Sequence, residues 1–105
     1  MLEIRTYTLA SDEALEQYAD VHWARHITSL AAYGITTHHV WREIGGNQPQ
    51  LIALVEYAPG ADPLAVTATY MSSPEFRADM DGFEMDGIRG VSSVFVEPVS
   101  SDPAL

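Results

Sequence analysis

The order in which two hydrophobic periods alternate along the chain constrains its fold more than any single motif does. LEIRTYTL, residues 2 to 9, sets Leu2, Ile4, Thr6 and Thr8 against Glu3, Arg5, Tyr7 and Leu9, the period of two that marks a strand. SDEALEQ then opens a helix predicted over residues 12 to 33, with Ser11 or Asp12 as its cap, acidic residues in the first turn and Gly34 as its stop. ITTHHVWREI and QLIALVEYA are β-branched, aromatic and aliphatic, and they flank GGNQP, so they form a hairpin. ADPLAVTATYMSSPEFRADM returns to a helical pattern, with Pro63 in its first turn and a break at Ser72 and Ser73 before Pro74. IRGVSSVFVEPV is a last strand ended by Pro98, and the small polar run SSDPAL follows it. The expected organisation is one domain over residues 1–98 and a flexible tail over 99–105.

Read as βαββαβ, this order resolves into a four-stranded antiparallel sheet with both helices on one face, a ferredoxin-like α+β sandwich. The other sheet face then has no helix over it, although alternating positions on one side or the other carry large residues such as Trp41, Val55 or Phe95. A bare apolar sheet face calls for a partner, and a second copy packed face to face would bury it symmetrically.

Charge and composition narrow the function. Five Lys and Arg against fifteen Asp and Glu leave a net charge of -10, which repels a phosphate backbone, so no nucleic acid partner is expected. The absence of cysteine closes thiolate metal sites, disulfides and cysteine nucleophiles, and it fits a cytoplasmic location. No run approaches the roughly 18 apolar residues of a membrane span, so no membrane partner is expected.

Several short stretches carry a family resemblance. EIRTYTL at the start, YG closing the first helix, WREIG before the hairpin turn, LVEYA after it and SSPEFRA in the second helical region together resemble the NIPSNAP family over residues 1 to 98. The resemblance implies a dimeric α/β barrel, a superfamily that includes cofactor-free antibiotic-biosynthesis monooxygenases, haem-degrading proteins and muconolactone-type isomerases. It also implies a ligand site inside each monomer, between sheet and helices. It implies no particular reaction, because fold does not carry function with it.

The candidate chemistry centres on HWARHITSL. At about 100° per residue from Leu15, His22 falls near -20° and His26 near +20°, in the middle of the apolar stripe and facing the sheet. Two buried imidazoles are costly unless each finds a hydrogen-bond partner or a polar cavity. One reading makes them satisfied core residues; the other makes His26 and His22 catalytic groups lining the family's pocket, with Trp23 among its walls. Arg5 and Tyr7 join the substrate-binding set if their strand face meets the helices, where Arg5 would anchor a ligand carboxylate or enolate. If that face meets a partner instead, Arg5 is an interfacial ion pair to Glu56 or Glu97. His39 and Trp41 share a face of the second strand and are held as substrate-binding candidates with the same two readings.

Metal binding is a weaker reading. His22 and His26 have the i, i+4 spacing of helical metal ligands, but Trp23 stands where the zincin pattern needs Glu. DMDGFEMDG, residues 79 to 87, fails the calcium-loop pattern and reads as an acidic linker or a flap carrying Phe83 and Met85. Neither a metal nor a cofactor is expected. Two functions remain: a cofactor-free enzyme of monooxygenase, isomerase or cyclase type, acting on a small apolar or aromatic molecule through a histidine proton shuttle, or a non-catalytic ligand-binding or scaffold homodimer.

Overall fold

The computed structural model describes residues 1–103. Its strands β1 (Leu2–Leu9), β2 (Ile35–Arg42), β3 (Gln50–Tyr57) and β4 (Ile88–Val96) form one antiparallel sheet in the order β2-β3-β1-β4. Between β1 and β2 run α1 (Asp12–Gln17), a π-helical turn (Tyr18–His22) and α2 (Trp23–Ala32). Between β3 and β4 run α3 (Pro63–Met71), α4 (Pro74–Asp79) and a short 3-10 turn (Met85–Gly87). This is the ferredoxin-like βαββαβ order expected from the period changes.

Local chemistry explains most boundaries. Ser11 caps α1 by accepting from the Ala14 N–H at 3.0 Å, and Gly34, at φ +78°, turns the chain out of α2 in a conformation that β-carbons disfavour. Asp62 caps α3 ahead of Pro63, and Ser73 caps α4 ahead of Pro74, so the helical break falls at the two serines as anticipated. Beyond β4 the Asp102 N–H donates to the Val99 carbonyl at 2.9 Å, and the tail expected to be flexible runs on to residues 104 and 105, which lie outside the described residues.

Two irregularities decide which side chains meet. The Trp23 N–H reaches back to the Tyr18 carbonyl, five residues earlier, and this π-helical turn inserts one residue into the helix. The uniform wheel drawn from Leu15 therefore loses phase by about 100° before α2 begins. On β2, the register with β3 shifts between Thr37 and His39, a bulge in which His38 is the extra residue. Ile35 and Thr37 pair with Tyr57 and Val55 on the helix side, but after the bulge Val40 takes that side and His39 and Trp41 pair with Leu54 and Ile52 on the other.

The core follows from the same registers. Glu3, Arg5, Tyr7 and Leu9 of β1 and Leu51, Ala53, Val55 and Tyr57 of β3 are all buried beneath the helices, where Leu15, Tyr18, Trp23 and Leu30 meet them. The opposite sheet face presents Leu2, Ile4, Ile52 and Leu54, half-buried, beside exposed Trp41 and Val94. Val55 and Phe95 do not belong to it, since both pair alongside Glu3 on the helix side.

Leu30 is 1 % exposed and Ile27, on the same helix, is 43 % exposed. Leu30→Ala should therefore destabilise the protein by about 2–5 kcal/mol, through lost transfer energy and the cavity left behind. Ile27→Ala should stay within about 0.5 kcal/mol. Urea unfolding followed by circular dichroism checks the contrast, which reverses if α2 packs with another face.

Candidate functional site

A cavity of about 600 Å³ opens between the helix-bearing face of the sheet and α2, α3 and α4. It exists because the helices leave the inner face of β4 uncovered: Val91 and Phe95 line the cavity and remain 58 % and 46 % exposed. Leu64 and Met71 of α3 and Met85 of the 3-10 turn complete an apolar rim, and Tyr7, Tyr18, Trp23, Phe76 and Met80 form deeper walls. Two polar groups interrupt this lining. One is centred on Arg5 and the other on His26.

Arg5 lies on the cavity side of the sheet, so the reading that placed it at an interface with Glu56 or Glu97 does not hold. Its partner is Glu3, two residues away on the same strand face. Nε donates to Glu3 Oε1 at 2.7 Å, and Nη2 donates to the Tyr57 hydroxyl at 2.7 Å and to Thr67 Oγ1 at 3.3 Å. The Tyr57 hydroxyl donates to Glu3 Oε1 at 2.6 Å, and Ser93 donates to Glu3 Oε2. Burial pushes the Glu3 carboxyl upward, but hydrogen bonds from Ser93, Tyr57 and Arg5 outweigh it and hold the group below its usual range. Burial likewise opposes the Arg5 charge, and Tyr7, Glu3 and Tyr57 overcome that opposition, so the pair stays ionised.

A buried ion pair with these partners has no net charge to offer. Arg5 is accordingly poorly suited to hold a free carboxylate, the ligand group considered for it above, since Glu3 already neutralises it. Burial pushes the Tyr7 phenol upward, and the charge of Arg5 and hydrogen bonds from Arg5 and Tyr18 oppose that push. Arg5 and Tyr7 thus line the cavity as polar groups without an unbalanced cation.

His26 is 3 % exposed and faces the cavity from α2. Its Nδ1 lies 2.5 Å from the Tyr70 hydroxyl and 3.4 Å from Asp79 Oδ2. The Tyr70 hydroxyl donates to Asp79 Oδ2 at 2.5 Å, and Ser29 Oγ donates to Asp79 Oδ1 at 3.0 Å. Burial lowers the His26 pKa, and the Asp79 carboxylate only partly offsets this, so the imidazole is neutral near pH 7. The Tyr70 phenol is pushed well above its ordinary value by burial and by Asp79, so it keeps its proton. Phe76 stacks parallel to the His26 ring at 6.0 Å, and Trp23 meets it edge-on at 5.3 Å.

The histidine pair is split. His22 is 1 % exposed but does not line the cavity: its Nδ1 bonds to the Asp79 backbone carbonyl at 2.8 Å, its Nε2 lies 3.3 Å from Gln17 Nε2, and Phe83 covers its ring. It is a satisfied core histidine, and the catalytic assignment is not carried to it. The two rings stay one regular helical turn apart, and what packs against each divides them: the end of α4 meets His22, while His26 opens on the cavity. Trp23 lines the cavity as expected. His39 and Trp41 stack at 5.0 Å on the outer face of the sheet, where the bulge places them, and so do not reach the cavity. Among the described residues no group of three His, Asp or Glu side chains is arranged to hold a metal ion.

Sequence reasoning missed Tyr70, Asp79, Tyr57, Thr67 and Ser93. By sequence Asp79 opens an acidic linker, and no local pattern links it to a histidine 53 residues away. Glu3 was legible, since a period of two sets it on the face of Arg5.

The NIPSNAP family model matches residues 2–103. No curated protein matches the chain. Among solved structures the fold is similar to that of a NIPSNAP family protein with unknown function from Agrobacterium tumefaciens, at a TM-score of 0.77 and 18% identity over 99% of this chain and 92% of that one. It is similar also to an uncharacterized NIPSNAP domain protein from Burkholderia xenovorans, at a TM-score of 0.75 and 16% identity over 97% of each chain. A dimeric ferredoxin-like protein from an uncultured marine organism aligns at a TM-score of 0.61 and 16% identity over 93% of this chain and 96% of that one. Identities this low speak for the fold alone, but a family model spanning nearly every residue speaks for ancestry, and the chain belongs to the NIPSNAP family.

Proposed function

We propose that this protein is a cytoplasmic homodimer that binds a small, uncharged apolar or aromatic molecule in the cavity of each subunit and moves a proton on it through His26, without a cofactor. The observation that carries this reading is a neutral, buried imidazole at the wall of an otherwise apolar cavity of about 600 Å³. Such a base can take a proton from a weak carbon or oxygen acid, and the donors of Arg5 and Tyr7 can steady the anion that forms. Isomerisation, ring closure and the first step of a cofactor-free oxygenation all begin this way. Trp23 would then be a wall of the substrate site.

Dimerisation through the outer sheet face is supported by its half-buried Leu2, Ile4, Ile52 and Leu54, with Trp41 left 47 % exposed among them. The dimeric state named for the marine ferredoxin-like neighbour points the same way. Light scattering should give twice the chain mass at micromolar concentration, and Ile52→Glu should give a folded monomer. A monomeric wild type at all practical concentrations overturns the dimer.

The enzyme and the binding-dimer readings separate in two measurements. In a Trp41→Phe background, where Trp23 is the remaining indole, 2-naphthol should quench Trp23 fluorescence saturably, and Ala68→Phe, which fills the cavity from α3, should abolish the quenching. Proton abstraction is then read as deuterium exchange next to the carbonyl of 2-tetralone in D₂O. The wild type should accelerate exchange and His26→Gln should lose about 10²- to 10⁴-fold of that acceleration. Binding without any exchange would favour the non-catalytic dimer.

The depressed His26 pKa also predicts a pH trend. The folded state holds this imidazole neutral while the unfolded chain protonates near the ordinary value of 6.5, so the unfolded state binds more protons below that pH. The contribution of His26 to stability should be complete above pH 6.5 and should fall as pH drops through its folded value. His26→Gln should flatten that part of the urea stability profile.

A further inference from the structure

Asp79, Tyr70 and Ser29 were not among the expected site residues, yet Tyr70 and Asp79 meet Nδ1 of His26 and Ser29 holds Asp79. We propose that Asp79 and Tyr70 are positioning residues that fix His26 as the Nδ1–H tautomer and so leave its Nε2 lone pair as the proton acceptor inside the cavity. The inference deepens the proposed proton transfer and rests on that reading for its purpose, but not for its test.

The tautomer follows from counting hydrogens. The Tyr70 hydroxyl has one, and it goes to Asp79 Oδ2 at 2.5 Å. The remaining contact, 2.5 Å between the Tyr70 oxygen and His26 Nδ1, is a hydrogen bond only if Nδ1 carries the proton and the phenol oxygen accepts it. Asp79 Oδ2, 3.4 Å from Nδ1, is an acceptor as well and favours the same assignment. Ser29 donates to Oδ1 and thereby holds the carboxylate in the plane that serves Tyr70. Neutral imidazole has one ring proton, so Nε2 is unprotonated, and among the described residues no protein group bonds to it.

The titratable and charged groups acting on the ring come from every element around it: Arg5 on β1, Tyr18 and His22 from the π-helical turn, Tyr70 on α3 and Asp79 on α4. Of these, only Asp79 and Tyr70 bond to Nδ1. When a cavity-bound acid gives up its proton, its C–H or O–H bond breaks, an N–H bond forms at Nε2 and the electron pair stays on the ligand as an enolate or phenolate. The imidazolium then lies against the Asp79 carboxylate, which stabilises it until the proton returns to product. A purely structural Tyr70 would serve equally well with the opposite tautomer.

The test is nitrogen-15 NMR of His26 in the ligand-free protein at a pH where the ring is neutral. The wild type should show a proton on Nδ1 and a pyridine-type Nε2. In Asp79→Asn the new amide can donate to the Tyr70 oxygen, which frees the hydroxyl hydrogen for Nδ1 and should move the ring proton to Nε2. The loss of the carboxylate should also lower the His26 pKa further. Tyr70→Phe, which keeps the ring packing, should give a mixture of tautomers, and it stands as the test if Asp79→Asn does not fold. A wild-type ring protonated on Nε2, or a tautomer unchanged in the folded variants, overturns the proposal. Because no ligand is present, a failure here is distinct from a failure of 2-tetralone exchange, which bears on the proton-transfer reading alone.

Discussion

Asp79 joins the two halves of the helix layer, and the geometry of the cavity depends on it. Its backbone carbonyl accepts from the Arg25 guanidinium at 3.2 Å and bonds to His22 Nδ1 at 2.8 Å, while its carboxylate accepts from Ser29 and Tyr70 and lies beside His26. Four of these partners come from the first helical region and one from α3, so a single residue at the end of α4 sets the distance between the helices that wall the site. Each contact is buried or partly buried, where an unpaired carboxylate would be expensive. The cluster is therefore satisfied as a whole or disrupted as a whole, and that coupling holds an imidazole in a fixed orientation without a metal or a disulfide.

The second polar cluster performs a different task. Glu3, Arg5, Tyr57, Thr67 and Ser93 tie β1, β3, β4 and α3 together across the mouth side of the cavity. A buried ion pair adds little net stability over an apolar replacement, because desolvation offsets attraction. Its effect here is directional. Thr67 is held to the sheet through Arg5 and Tyr57, so α3, whose side chains Leu64 and Met71 otherwise face solvent, is seated over the cavity in one position. The Glu3 charge cancels that of Arg5, which leaves donors in the cavity but no net cation. In the proposed function this lining favours an uncharged, oxygen-bearing apolar ligand.

The two faces of the sheet differ in what they carry. The inner face carries the polar clusters and the cavity; the outer face carries a continuous half-buried apolar surface and the His39–Trp41 stack. The pair His38–Glu56 on that outer side, at 2.7 Å but largely exposed, contributes little to stability. Of the fifteen acidic residues Glu3 lies on the inner face and Glu56 on the outer one.

Element order, helix caps, the serine break before Pro74 and the shared face of Glu3, Arg5 and Tyr7 were all determined by the sequence alone, because each depends on residues within a few positions of one another. Helical and strand periodicity are local properties, and so are capping side chains. The tertiary structure decided what depends on distant residues or on one-residue irregularities. The π-helical turn at Tyr18–His22 shifted the phase of α2 relative to α1, and the bulge at His38 turned His39 and Trp41 to the outer face; a regular period predicts neither. Which face of β1 met the helices was settled by the packing of β3 and α3 around Glu3 and Arg5. Tyr70 and Asp79 reached His26 only through the folding of the second helical region onto the first, since hydrogen bonds across more than forty residues leave no periodic trace in the chain.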